Sequence, residues 1–465
     1  MQRSHSSSGF VSEISRRLSK GISTASLALL LGTALPGVAV AQGPAQVSAE
    51  EISAELGDGA GIDKKLRPFY AARNYRPIWV AAAGPRPEAH KLLAILESAE
   101  LDGLDPDKFR VGAVRDAIGD AQEKPTPARL ARVEAVLSNG FVNYVRALRR
   151  VKKPSLEFTD PELRITVPEK EDVLAAAASA PSLSKYVAEQ GWMHPFYGQL
   201  RNALLLEGPH SPRADVLRVN LQRLRLLPAE DKGRHIVVDT AGTRLFMFEG
   251  RRQVGSMKVI TGKPATPTPM MASVIRYATL NPYWNVPTDL AREKIAPEVV
   301  GTGPAYLRQH GYQLLSDWSA DATVADPSLV DWQAVLTGQR VVRVRQLPGS
   351  SNGMGKVKFM FPNGNDIYLH DTPDKGLFRN SVRHFSAGCI RLEDAGRLGR
   401  WLFGKPLRAT SKKPELRVDL PDPVPIYVTY LTAFPEARNV AIREDSYGRD
   451  GVGAGSLRQA ALSGG

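Results

Sequence analysis

The chain holds a single cysteine, Cys389, within the run Ser386-Ala387-Gly388-Cys389-Ile390-Arg391. Upstream, Asp366-Ile367-Tyr368-Leu369-His370 reads as a strand that ends in a histidine. A thiolate is a strong nucleophile, and an imidazole is the usual group that takes its proton and later returns it. The pair points to acyl transfer through a thioester. Gly388 allows close backbone approach, so the amides of Gly388 and Cys389 are expected to donate to an oxyanion. A free thiol titrates near ~8.5 and needs an imidazolium or a positive field beside it to react at neutral pH. His370 and the basic flank of Arg379, Arg383 and Arg391 are candidates for both. A lone cysteine is commonly just a small buried hydrophobe; the preceding glycine, the polar surroundings and the strand-end histidine favour the chemical reading here.

His384 is the rival base, close upstream of the thiol but in a polar stretch that reads as loop. The other histidines (His5, His90, His194, His210, His235 and His310) form no ligand pattern, so neither a metal nor another cofactor is expected. No Gly-x-Ser-x-Gly elbow is present. A papain-type peptidase fits poorly, because the cysteine follows the histidine and no tryptophan adjoins the thiol.

These residues need a framework, and the length of 465 residues predicts two to four domains. From about Val47 to Leu206 the apolar spacing is helical. Helices are expected over Glu88 to Leu101, Ala128 to Val151, Asp172 to Ala180 and Tyr197 to Leu206. From His235 onward the texture changes to short runs rich in Val, Ile and Phe between Gly and Pro turns. His235 to Asp239, Arg244 to Phe248, Val254 to Ile260, Val274 to Thr279, Val341 to Val344, Val357 to Phe361, Asp366 to Leu369 and Ile426 to Leu431 are strand candidates. The prediction is an α+β multidomain chain: a helical scaffold domain over 42–206, a linker segment over 207–233, and a mostly-β, sandwich-like catalytic domain over 234–435. Within the latter, 306–347 is expected to be a capping insertion, helical and turn-like over Tyr306 to Leu336. Residues 436–465 are polar and Gly-rich and are expected to be disordered.

The net charge of +13 arises from 61 basic and 48 acidic residues. It is spread rather than blocky, so no nucleic-acid partner is expected. The N-terminus reads as an export signal over 1–41: Arg16, Arg17 and Lys20 precede an apolar stretch, and Ala39-Val40-Ala41 is a small-x-small cleavage site. The stretch is shorter than the about 20 residues of a spanning helix. An ordinary export route is favoured over a twin-arginine one, and an uncleaved signal would leave the protein tethered to the membrane.

The motifs His370-Asp371-Thr372-Pro373 and Ser386-Ala387-Gly388-Cys389-Ile390-Arg391 resemble those of L,D-transpeptidases with a YkuD-type catalytic domain. Asn281-Pro282-Tyr283-Trp284-Asn285-Val286-Pro287, Lys358-Phe359-Met360-Phe361-Pro362-Asn363 and the segment from His370 to Phe378 resemble the large periplasmic YcbB-type branch. The resemblance implies that Cys389 attacks the third residue of a peptidoglycan tetrapeptide stem and releases D-alanine. The side-chain amine of another stem would then resolve the thioester. His370 would be the acid–base residue, its ring oriented by the Asp371 carbonyl, with Gly388 and Ser386 supporting the site. Tyr283 and Trp284 would line the site, and Arg391 would either hold a substrate carboxylate or brace the loop. The implied partners are peptidoglycan stems and, as covalent inhibitors, carbapenem β-lactams; the implied location is the periplasm. The acceptor is left open between another stem, an outer-membrane protein amine, a D-amino acid and water. An inactive wall-binding scaffold is the alternative from outside enzymology. Two departures stand out: Ala387 occupies a position where many members carry histidine, and the branch's small peptidoglycan-binding module has no room between Leu206 and Asn220.

Overall fold

The structure is a computed structural model that describes residues 47–59, 61–229, 233–319, 321–436 and 439–451. The proposed export signal lies outside the described residues. The first half is helical: α1 (Ala49–Gly57), α2 (Arg67–Ala72), α3 (Pro87–Glu97), α4 (Val111–Glu123), α5 (Pro127–Arg149), α6 (Lys170–Ser179), α7 (Leu183–Ala188), α8 (Pro195–Glu207) and α9 (Ala214–Leu224). Two small strands, β1 (Val80–Ala81) and β2 (Gly84–Pro85), make a hairpin before α3. The long amphipathic α5 is central, capped at its start by Thr126, whose side chain accepts the Arg129 amide. Helix α9 corrects the expected linker: Val216, Leu217, Leu221 and Leu224 bury one of its faces in the helical core.

The second half is a sheet built from β3 (Glu157–Phe158), β4 (Arg234–Asp239), β5 (Arg244–Glu249), β6 (Arg252–Gly262) and β7 (Met271–Leu280), joined later by β12 (Val357–Met360), β13 (Leu369–His370), β14 (His384–Ser386), β15 (Ile390–Leu392) and β16 (Leu416–Thr429). Its order runs β12-β13-β15-β6-β5-β4-β16-β7, and β12 pairs with β7 as well, so the sheet closes on itself and is barrel-like rather than an open sandwich. Strands β4 and β5 show why both runs are almost wholly apolar. Ile236, Val238, Leu245 and Met247 point into the barrel core, while Val237, Phe246 and Phe248 join the helical core on the other face. Phe196 of α8 meets Phe246, Phe248 and Phe434 at ring separations of 5.3, 5.7 and 4.9 Å. The outer face of the sheet thus completes the helical core, and the barrel keeps a second core of its own.

Between β7 and β12 the chain makes a small module with a core of its own: β8 (Trp284–Val286), helical segments over Thr288–Leu290, Ala291–Ile295, Ala296–Thr302 and Ala305–Gln309, then β9 (Tyr312–Leu315), β10 (Val324–Ala325), the helical turn Trp332–Leu336, and β11 (Arg343–Gln346). Its strands pair in the order β10-β9-β11-β8. The expected insertion thus starts earlier than residue 306, because β8 is needed as the partner of β11, and the stretch Tyr306 to Leu336, read as helix and turn, also carries β9 and β10.

The expected disordered tail is corrected over 439–451. Strands β17 (Ala433–Pro435) and β18 (Val440–Ile442) pair, and the chain then folds back onto the body. Asp450 is buried between Arg223 of α9, at 2.6 Å, and the Thr432 hydroxyl, at 2.7 Å. The polar composition that suggested disorder is used up in such partnerships. Residues 452–465 lie outside the described ones.

Candidate active site

Strands β13 and β15 lie parallel, with Leu369 opposite Ile390 and His370 opposite Arg391. Because side chains alternate along a strand, Leu369, Ile390 and Leu392 all go into the barrel core. Tyr368, His370, Cys389 and Arg391 consequently share the opposite face, on neighbouring chains about 4.8 Å apart. The motif spacing yields a site because of this register.

His370 is 1% exposed. Its Nδ1 donates to the Asp371 carbonyl oxygen at 2.5 Å, as the resemblance implied. A carbonyl only accepts, so the hydrogen is on Nδ1 and the lone pair is on Nε2. Burial, followed by the nearby Arg391 guanidinium, pushes the His370 pKa down to about 3. The ring is therefore neutral at physiological pH. Burial also pushes the Cys389 thiol above its ordinary value, although the Tyr368 amide and hydroxyl and the Arg391 charge oppose this. The resting pair is neutral thiol and neutral imidazole, which corrects the expectation of an imidazolium beside a thiolate. Among the described residues, Cys389 Sγ is hydrogen-bonded by Tyr368 and lies 3.6 Å from the Asp366 carbonyl, to which the thiol donates.

The loop around the thiol is tied from both sides. Ser386 Oγ donates to the Cys389 carbonyl at 2.6 Å and accepts the Gly388 amide at 3.1 Å. The Gly388 N–H is therefore occupied, so Gly388 is not the oxyanion donor the sequence suggested; its contribution is a backbone with φ +123°. The Cys389 N–H has no acceptor among the described residues. The Asp371 carboxylate accepts from Lys375 Nζ at 2.8 Å and the Lys356 amide at 3.0 Å. Burial alone would raise its pKa, but these donors and the Thr372 amide outweigh it and hold the carboxyl below its ordinary value. Gly355, with φ +60°, makes room for this: a Cβ there would sit 2.5 Å from Asp371 Oδ2.

The other candidates sort clearly. Arg391 shares the face, pairs with Asp374 at 3.8 Å, and keeps a buried Nε without a partner. Arg383 is taken up by backbone carbonyls of Val259, Thr243, Asn380 and Ser381 and is a loop brace, not a source of field at the sulfur. His384 bonds the Thr261 hydroxyl at 2.9 Å and lies beside the Tyr447 ring. Tyr283 and Trp284 stand at the base of the inserted module. The Tyr283 ring lies under Arg345, and its amide donates to Glu415 at 2.6 Å. Glu415 also pairs with Lys358, which sits 5.8 Å from the Tyr368 ring centroid. Among the described residues no hydrogen bond or ring contact joins either aromatic to Cys389 or His370. Tyr368 was missed in the sequence, although its place two residues before His370 assigns it to the same face. Thr268, whose hydroxyl donates to the Gly388 carbonyl at 2.7 Å, had no local signal because it comes from a distant Pro-rich turn.

Residues 64–204 match a family model described as the scaffold domain, and residues 233–419 match that of the L,D-transpeptidase catalytic domain, YkuD. A Haemophilus influenzae protein named "Putative L,D-transpeptidase" is 26% identical over 406 residues, spanning 83% of this chain and 78% of the relative. Among solved structures, an L,D-transpeptidase from Mycobacterium smegmatis aligns with 13% identity and a TM-score of 0.21, over 42% of this chain and 59% of that one. The Ldtfm–avibactam carbamoyl enzyme aligns with 12% identity and a TM-score of 0.20, over 44% of this chain and 51% of that one. This chain spans less than two thirds of either structure.

Proposed function

We propose, from the premise that residues 233–419 are a YkuD-type L,D-transpeptidase catalytic domain behind a scaffold domain, that this enzyme joins peptidoglycan stems outside the cytoplasm through an acyl-enzyme on Cys389. The observation that carries this reading is the shared face of Tyr368, His370, Cys389 and Arg391, with Nε2 of His370 left as the acceptor.

Rotation about Cβ–Sγ turns the thiol hydrogen from the Asp366 carbonyl toward Nε2. Sγ then bonds the carbonyl carbon at the L-centre of the third stem residue as the proton passes to His370. The tetrahedral oxyanion is received by the Cys389 amide, with the Tyr368 hydroxyl beside it. Its collapse breaks the bond to D-alanine, whose nitrogen takes the proton back from His370. The amine of a second stem attacks the thioester, gives its proton to Nε2, and the thiol is restored. One amide is exchanged for another, so no external energy source is needed. Arg391, with its spare buried Nε, favours a carboxylate of the donor stem.

The test is incubation with disaccharide-tetrapeptide, read by mass spectrometry. A dimer lighter by one alanine is expected; a bare tripeptide would make water the acceptor, and unchanged substrate would defeat the enzymatic reading. Cys389→Ala should abolish products, and His370→Ala should lower the rate by ~10²-fold or more. A larger loss in His384→Ala would overturn the assignment of the base.

A further inference from the structure

The peptide between Gly388 and Cys389 is held by a residue far from it in sequence. Thr268 is fully buried, donates its hydroxyl to the Gly388 carbonyl at 2.7 Å and accepts the Gly262 amide at 2.9 Å. A trans peptide is planar, so its N–H points opposite to its C=O. Fixing the Gly388 carbonyl therefore fixes the direction of the Cys389 N–H, the amide next to the sulfur that has no acceptor among the described residues. Ser386 fixes the carbonyl on the other side of Cys389. The Gly388 conformation, at φ +123°, is one that glycine adopts readily in either direction, so without a tie this peptide plane has freedom to rotate.

Thr268 is itself strapped in place by the C-terminal segment. Arg449 Nη2 donates to the Thr268 carbonyl at 3.0 Å, and the Tyr447 hydroxyl donates to the Gly262 carbonyl at 2.6 Å. Gly262 must be glycine for this packing, since a Cβ would lie 2.7 Å from the Thr268 nitrogen. The strap is anchored on α9, where Arg223 holds the Asp450 carboxylate at 2.6 Å and the Arg449 carbonyl at 2.7 Å. Asp445 gathers the Arg449 and Asp450 amides and the Tyr430 hydroxyl.

We propose that Thr268 is a positioning residue that aims the Cys389 amide at the developing oxyanion, and that residues 445–450 form the strap that holds Thr268 to that task. The inference rests on the acyl-transfer reading above, and its test separates the two. Acylation of Cys389 by meropenem passes through an oxyanion as Sγ adds to the lactam carbonyl, the ring C–N bond opens and the nitrogen is protonated. Alkylation by iodoacetamide displaces iodide at carbon and forms no oxyanion. Both rates are measured on the full chain at one pH, by intact mass. Thr268→Val is expected to slow acylation by ~10²-fold while alkylation stays within about threefold of the parent. Thr268→Ser restores acylation. Arg449→Gln, which leaves the Thr268 side chain intact, shows the same split at ~10-fold and serves if the valine variant does not fold. Acylation undiminished in both variants, acylation and alkylation falling together, or failure of serine to rescue would each overturn the proposal. A parent chain that takes no adduct at Cys389 would defeat the acyl-transfer reading, and this inference with it.

Discussion

At Cys389 and His370, burial decides where the proton rests. A half-buried thiol raised above its ordinary value and an imidazole pushed down to about 3 cannot sit as an ion pair. Proton transfer then belongs to the reacting complex, when the carbonyl approaches. The expected consequence is a rate of iodoacetamide alkylation that climbs steadily with pH, about tenfold per unit, through pH 9. A plateau already reached near pH 6–7 would mean a resting thiolate and would contradict this arrangement. The place of His370 at a strand end and of Cys389 just before the neighbouring strand was legible from residue type and spacing. Their protonation states were not, because these depend on how much apolar surface the barrel and Arg391 bring around the ring.

Among the elements, the β13–β15 register brings the two motifs onto one face. The strands were legible where both faces are apolar, as in β4 and β5. In the inserted module β11 was anticipated by the Val341 to Val344 run, but β8 and β9 were not, because they are short and gain their order only by pairing with β11. The ordered tail was hidden for a related reason: Tyr447, Arg449 and Asp450 look solvent-loving until their partners on α9 and β6 are known. In the scaffold, the turn after α3 is held by a buried charge pair. Asp102 accepts from Arg201 Nε at 2.9 Å and from the hydroxyls of Tyr144 and Tyr197 at 2.8 and 2.6 Å. Arg201→Met leaves that carboxylate buried without its cation and should cost about 3–5 kcal/mol in urea unfolding. A loss below about 1 kcal/mol would show that the two tyrosines suffice.

The molecule as a whole binds its halves through the helical core, and buried histidines sit in both halves. His194 and His235 lie 5.8 Å apart where α8 meets β4 and β5. Burial lowers the pKa of His194, of His235 to about 4, and of His370 to about 3. Below their unfolded value near ~6.5 the unfolded chain binds protons that the folded chain refuses, so acidification favours unfolding. Glu134, raised by burial, pulls the other way, but His384, lowered by its own burial, joins the other three rings against it. The melting temperature should therefore fall between pH 7.5 and pH 5; an unchanged or higher value would contradict the neutral state of these rings.

The central claim concerns a bond on Cys389, and trapping that bond tests it most directly. The protein is quenched in acid during turnover of disaccharide-tetrapeptide, digested, and its Cys389 peptide weighed. The account predicts an adduct equal to the donor less D-alanine, absent in Cys389→Ala and discharged when a stem amine is supplied. Turnover with no adduct on that peptide, or an adduct on another residue, would contradict it.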